Sequence, residues 1–256
     1  RYKLFNEIIE MKLLIDIGNT TTSVSLWKNS KLSMTSNSDN NKLLVTLKKY
    51  LKKEIDEILL TSVISVKENK LIINKLKKIF KCRVKQIKSS SNLLGVTNGY
   101  IQPAKLGDDR WATIVASYFL YRKPLIIVDC GTAISIDIVN AKGIHLGGYI
   151  LGGFDGYSKS FKNAYHLKNI KIKEDTASQK KYFPKKTEDG ITEGYLLMVI
   201  SAIENTYNQI KENQKTLPKL LISGGYGKII SKRLSVKNKY EPNLVLKSIG
   251  LIASHL

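Results

Sequence analysis

The chain has 256 residues and a mass of 28.8 kDa, with 43% hydrophobic and 25% charged residues, a globular mix that excludes wholesale disorder. No apolar run approaches the ~20 residues of a membrane span. Two cysteines (Cys82 and Cys130) and three histidines exclude a disulfide framework and a zinc ribbon, and point to a reducing cytoplasm. The net charge is +21, yet only five of the 42 basic residues are arginines. Arginine is the residue that base readout and bidentate phosphate clamps favour. The charge therefore reads as a solvated lysine surface rather than a nucleic-acid face, and its field would also favour a small anionic substrate.

Residues 1–10 carry charges throughout and lack a signal peptide's apolar stretch. Met11 heads an apolar run, so 1–10 reads as an extension. The run ends in Asp16-Ile17-Gly18-Asn19-Thr20-Thr21-Thr22, after which Val24 and Leu26 alternate towards a turn at Asn29-Ser30. This predicts a hairpin with a Gly/Asn/Thr tip. Leu43, Leu44, Leu47 and Leu51 predict a helix over 41–53. A strand over 58–64, a helix over 71–80 and a loop over 88–105 follow. A helix over 107–122 has Asp108 and Asp109 in its first turn.

The opening theme then returns. An apolar run over 125–129 leads into Cys130-Gly131-Thr132-Ala133 and an alternating Ile134, Ile136, Ile138. Laying Asp16 on Asp129 also lays Gly18 on Gly131. A long helix over 191–212, a strand over 219–223, a short helix and a last helix near 246–255 complete the second half. The chain thus reads as a duplication, with lobes at 11–122 and 123–256. Paired α/β lobes predict a cleft between them, a common place for ligands.

Each half opens on a strand ending in Asp-x-Gly plus Thr. Glycine lets a turn approach a ligand closely and present N–H groups, and a carboxylate at the strand end can hold a cation beside phosphates. Ordinary β-turns use the same residues; recurrence at matched positions favours a polyphosphate clamp. Gly107-Asp108-Asp109-Arg110 opens a helix, where acidic residues suit the macrodipole. A carboxylate there can equally accept a hydroxyl proton, with arginine beside it for an anion. The glycines over 147–153 suit either a loop over a ligand or a strand with a mobile turn. Ser223-Gly224-Gly225-Tyr226-Gly227 suits either a nucleotide or a tight β–α turn. There is no Walker A motif, G-x-G-x-x-G, H-E-x-x-H or G-x-S-x-G. His145, His166 and His255 lack metal-like spacing and read as structural.

With Asp-Ile-Gly-Asn-Thr at 16–20, Gly-Asp-Asp-Arg at 107–110, Asp-Cys-Gly-Thr-Ala at 129–133 and Gly-Gly-Tyr-Ile at 147–150, the chain resembles the type III pantothenate kinases. These belong to the superfamily of acetate and sugar kinases, heat-shock chaperones and actin. The resemblance runs from Met11 to the C-terminus and implies an α/β fold of two ribonuclease H-like lobes. It implies phosphorylation of pantothenate by ATP with magnesium, the first step towards coenzyme A, and a need for potassium or ammonium. Asp16, Ile17, Gly18, Asn19, Thr20, Thr21, Thr22 and Ser23 would match the first phosphate motif, with Asp16 also a contact for magnesium-bound ATP. Gly131 and Thr132 would match the second, and Gly224 and Gly225 the adenosine motif. Asp129 would hold the monovalent cation. Asp109 would be the proton acceptor, with Tyr100, Gly107, Asp108 and Arg110 on pantothenate. Thr187 would reach the substrate from the partner subunit of a cytoplasmic homodimer.

The chain departs from the pattern at Gly152, where the family loop has proline, and at Lys186, commonly asparagine. Two other readings accompany the resemblance: another small alcohol or acid as acceptor, since the superfamily also phosphorylates sugars and acetate, and an accessory role in transcription.

Overall fold

The computed structural model describes residues 10–161, 172, 183–213 and 216–255. Most of the extension at 1–10, together with His166, lies outside the described residues. β1 (Lys12–Ile17) buries Leu13, Leu14, Ile15 and Ile17, as a strand covered on both faces must. β2 (Thr21–Lys28) returns antiparallel, and β3 (Lys31–Asp39) follows it through Asn29 and Ser30. These two residues have φ of 51° and 57°, the geometry of a type I′ hairpin turn. β3 is an edge strand carrying Ser33, Thr35, Ser36, Asn37 and Ser38, a polar make-up that discourages further pairing.

The predicted helix over 41–53 is broken. α1 (Leu43–Leu47) lies between 3₁₀ turns at Asn40–Lys42 and Lys48–Tyr50. Its first turn has no side-chain cap. Tyr50 is fully buried, so its hydroxyl must find acceptors. It donates to the carbonyls of Val24, at 3.2 Å, and Met34, which ties the last turn to β2 and β3.

β4 (Glu57–Ser62) runs parallel to β1. α2 (Val66–Phe80) crosses to β5 (Arg83–Gln86), capped by Ser65, whose Oγ accepts the Glu68 N–H at 3.3 Å. The first sheet is ordered β3-β2-β1-β4-β5. Within the predicted loop over 88–105, β6 (Asn92–Leu93) and β7 (Val96–Thr97) form a minimal hairpin, followed by α3 (Asp108–Tyr121).

The second half repeats the plan. β8 (Leu125–Cys130) is β1 displaced residue for residue along the chain. It pairs with β9 (Ala133–Val139), and β10 (His145–Gly152) continues the sheet. The glycine stretch over 147–153 is therefore a strand as far as Gly152. Gly147 has φ of +95° at a register shift, and a Cβ on Gly148 would lie 1.8 Å from the Ile136 carbonyl. Glycine serves close strand approach here. α4 (Phe154–Ser160), α5 (Thr187–Asn213), β11 (Lys219–Ser223), α6 (Gly227–Arg233), β12 (Asn238–Tyr240) and α7 (Leu244–Ala253) follow. The second sheet is ordered β10-β9-β8-β11-β12, the order of the first.

The chain divides into two compact units. One comprises the chain as far as Ser91, with Gln102–Ala116 and the segment from Val245 on; the other comprises Asn92–Ile101 and Ser117–Leu244. The first core joins Leu13, Ile15, Val24, Leu47, Ile58 and Leu76; the second joins Ile126, Val128, Ile136, Phe154, Tyr195 and Ile222. Among the described residues no helix is long and apolar enough to cross a membrane. The fold is α/β, a duplicated sheet with helices.

Candidate active site

In the first unit, Asp16 stands near the end of β1 between two hydroxyl residues. Ser23 faces it on β2 and Thr61 on β4, and Thr61 donates to Asp16 Oδ1 at 2.9 Å. Beyond Ile17, which is buried, the chain turns over residues 18–21, with Gly18 N–H bonded to Thr21 O at 2.9 Å. Asn19, Thr20 and Thr21 are exposed, while Thr22 is buried and Ser23 half-buried.

One side chain latches this tip. Asn40 donates from Nδ2 to Gly18 O at 2.8 Å and accepts Thr22 Oγ1 at 2.7 Å, and its N–H reaches Thr20 O at 3.1 Å. The sequence reading missed Asn40 because it sits 22 residues from Gly18, in a stretch read as a helical stripe. The signal available was the Asp39-Asn40-Asn41 cluster, which favours turns.

The start of α3 lies beside the same tip. Val63 donates its N–H to Ile17 O at 3.0 Å, and its side chain lies 3.6 Å from where a Cβ on Gly107 would stand. Asp109 folds back over Gly107, so that such a Cβ would fall 2.6 Å from Asp109 Oδ1. Asp109 Oδ1 accepts the Arg110 N–H at 2.7 Å. Burial pushes its carboxyl above the ordinary carboxylate range; the Arg110 N–H and guanidinium oppose this, and Asp108 adds to it.

Asp108 differs. Gln86 Nε2 holds one of its oxygens at 2.9 Å and the Ser89 N–H holds the other at 2.8 Å. Burial raises its carboxyl too, against the pull of Ser89, Gln86 and Lys88. Asp108 therefore fastens the helix start to the strand β5 side of the unit, while Asp109 bonds within the helix's own first turn. Gln86 and Ser89 carry no motif, so the sequence reading missed them as well.

In the second unit, Asp129 has Ser135 opposite it on β9 and Ser223 on β11, the arrangement that surrounds Asp16. The tip is one residue shorter, with Gly131 N–H bonded to Ala133 O at 3.1 Å. Thr132 is exposed. Gly153 N–H donates to Thr132 O at 3.2 Å, and a Cβ there would lie 2.2 Å from that oxygen. Gly224, at φ +86°, would place a Cβ 2.5 Å from the Cys130 backbone. The adenosine-type glycines and the phosphate-type turn are thus adjacent, with Gly225 exposed beside them. Burial, with Asp129 beside it, pushes the Cys130 thiol far up, as for a buried packing cysteine.

Tyr100 is half-buried in this second unit, its ring stacked on His145. Thr187 is exposed at the first position of α5. Gly152, at the proline position, has open space around an added Cβ and ends β10, where its carbonyl accepts Tyr195 Oη at 3.1 Å.

Residues 12–209 match the family model of type III pantothenate kinase. A type III pantothenate kinase of Pseudoalteromonas translucida is 31% identical over 94% of this chain and 95% of its own length. One from Chromohalobacter salexigens is 33% identical over 62% of this chain and 56% of its own length. Among solved structures, a Campylobacter jejuni protein described as a Baf family transcriptional activator superposes with a TM-score of 0.60 at 22% identity, covering 95% of this chain and 98% of that one. That likeness concerns the fold alone, which is the actin-like one. The family model runs through Asp16, Asp108, Asp109 and Asp129, the P. translucida relative covers nearly the whole of both chains, and the chain belongs to the type III pantothenate kinase family.

Proposed function

We propose that the chain transfers the γ-phosphoryl group of ATP to the hydroxyl of pantothenate, at the entry to coenzyme A synthesis, with Asp109 as proton acceptor. The observation that supports this best is a half-buried carboxylate at a helix start, its proton affinity raised by desolvation, folded over a glycine and backed by Arg110. A base with a raised pKa is closer to the working pH and takes a proton more effectively. Phosphoryl transfer passes through a loose transition state, so little of the proton leaves early. Asp109 therefore aims the hydroxyl as much as it deprotonates it. Arg110 supplies positive charge for the pantothenate carboxylate, and Tyr100 lines the same substrate.

The two copies of the repeat, 11–122 and 123–256, each offer one Asp-x-Gly turn to phosphate oxygens. The exposed Asn19, Thr20, Thr21 and Thr132 supply hydroxyl, amide and backbone donors. Gly224 and Gly225 receive the adenosine. Thr187 is offered across the interface of a homodimer.

Among the described residues, no three His, Cys, Asp or Glu side chains gather in one place. A magnesium ion that arrives on nucleotide phosphates needs only one or two protein carboxylates, and Asp16, held by Thr61, fits that need. Asp129 between Ser135 and Ser223 is an oxygen-rich place suited to potassium or ammonium. Bound there, the two cations supply positive charge against the phosphate oxygens.

A coupled assay for ADP, with and without pantothenate, in potassium and in sodium buffer, tests the reading. ADP release is expected to require pantothenate and to collapse in sodium. Equal rates in both salts remove Asp129 from its role. Turnover of sugars or acetate in place of pantothenate overturns the choice of substrate.

A further inference from the structure

Behind Tyr100 lies a buried pair that this chemistry does not use. His145 opens β10 and Asp137 stands on β9, their side chains 0% and 1% exposed. Imidazole Nε2 lies 3.0 Å from Asp137 Oδ1. A carboxylate only accepts, so the proton between them sits on Nε2. The other ring nitrogen, Nδ1, is buried without a hydrogen-bond partner among the described residues. Such an orphan is unfavourable, and an apolar side chain in its place would avoid it.

What a histidine provides here, and an aliphatic residue would not, is a flat ring whose plane a hydrogen bond fixes. Tyr100 lies on that plane, with ring centroids 5.8 Å apart and 17° between planes. The backbone of Tyr100 is held to the same strand start. Thr97 N–H donates to Gly143 O at 3.0 Å, and a Cβ on Gly99 would lie 1.8 Å from the His145 carbonyl. Buried Asn98 accepts the Tyr100 N–H at 3.0 Å. Backbone contacts thus place the residue, and the His145–Asp137 pair orients its ring.

We propose that His145 and Asp137 are positioning residues that set the plane of the Tyr100 ring for pantothenate. The inference rests on the substrate reading given above, and it reaches past that reading to two residues buried behind Tyr100. Steady-state kinetics on the full chain test it. His145→Gln keeps a donor for Asp137 and removes the flat ring. It is expected to raise the KM for pantothenate about tenfold, with kcat and the KM for ATP held within about twofold. Because the effect passes through Tyr100, adding His145→Gln to Tyr100→Ala should raise the KM no further.

Asp137→Asn, which keeps an acceptor for Nε2, is the gentler variant and serves if His145→Gln melts below the assay temperature. It should raise the same KM about threefold. An unchanged pantothenate KM in a folded variant, an equal rise in the ATP KM, or additivity with Tyr100→Ala overturns the inference while leaving the kinase reading intact. A wild-type chain that does not phosphorylate pantothenate overturns both.

Discussion

At the first hairpin tip Gly18 is held by a side chain, Asn40, whose amide bridges Gly18 O and Thr22 Oγ1. At the second tip the hold is main chain against main chain, with Gly153 against Thr132 and Gly224 against Cys130. The strands below are alike, with each aspartate flanked by hydroxyl residues on both neighbouring strands. A side-chain latch can loosen while the sheet stays whole, whereas backbone packed against backbone has no slack. The contrast extends to the rest of the site. Asp108 and Asp109 are positioned by side chains and a helix start in the first unit, and the second unit relies on glycines. Changes at the first tip and at Asp109 should therefore register in catalysis, and changes at the packed glycines of the second tip in stability.

The sharpest test of this division is Asp109→Asn. It should lower kcat by on the order of 10²–10⁴ while circular dichroism stays native. Melting should move the opposite way. Burial raises the Asp109 carboxyl in the fold, so the folded chain binds that proton more tightly than the unfolded one. Stability therefore falls as pH rises through the window between the two pKa values. Removing the charge should raise the Tm at neutral pH, by about 2–4 °C per kcal/mol relieved, and the gain should vanish at pH values below the ordinary carboxylate range. A lower Tm for this variant at neutral pH would break the account of its burial.

Gly224→Ala is the counterpart in the second unit. Its Cβ meets the Cys130 backbone at a left-handed φ, so overpacking should destabilise the fold by about 1–3 kcal/mol, read by denaturant melts. Full stability with impaired turnover would erase the distinction between the units. Asn40→Ala should do less to the fold, about 1 kcal/mol, and show itself mainly as a raised KM for ATP. The smallest effect concerns pH. The wild-type kcat should fall on acidification with a midpoint above that of a free carboxylate, as Asp109 takes up its proton. A midpoint at the ordinary value would place the base in a more solvated setting than the one described.

Elements that the sequence marks with a local signal are where the sequence reading put them. β11 matches to the residue, α3 begins one residue after the predicted start with Asp108 and Asp109 in its first turn as expected, and the Asp16 and Asp129 turns carry the expected repeat. Elements that depend on distant partners were not legible. The stripe over 41–53 has helical spacing, yet the buried Tyr50 hydroxyl needs carbonyls on β2 and β3, and that demand breaks the helix. The glycines over 147–153 left loop and strand open because only the approach of Ile136 shows why Gly148 has no side chain. The partners of Asp108 arrive from β5 and the loop after it. No spacing rule connects Gln86 to residue 108, because a parallel strand order sets their proximity.

The segment from Val245 on belongs to the first unit although it comes last in the chain. Gly250 leaves room for the Trp27 ring, Trp27 Nε1 reaches Ser254 Oγ at 3.3 Å, and Lys12 Nζ reaches the Ala253 carbonyl at 3.1 Å. A ribosome delivers about 5–20 residues per second. The first unit must therefore wait, on the order of ten seconds, for its closing helix while the whole second unit is being made. During that interval the face of Trp27 that Gly250 and Ser254 later cover stays open to water.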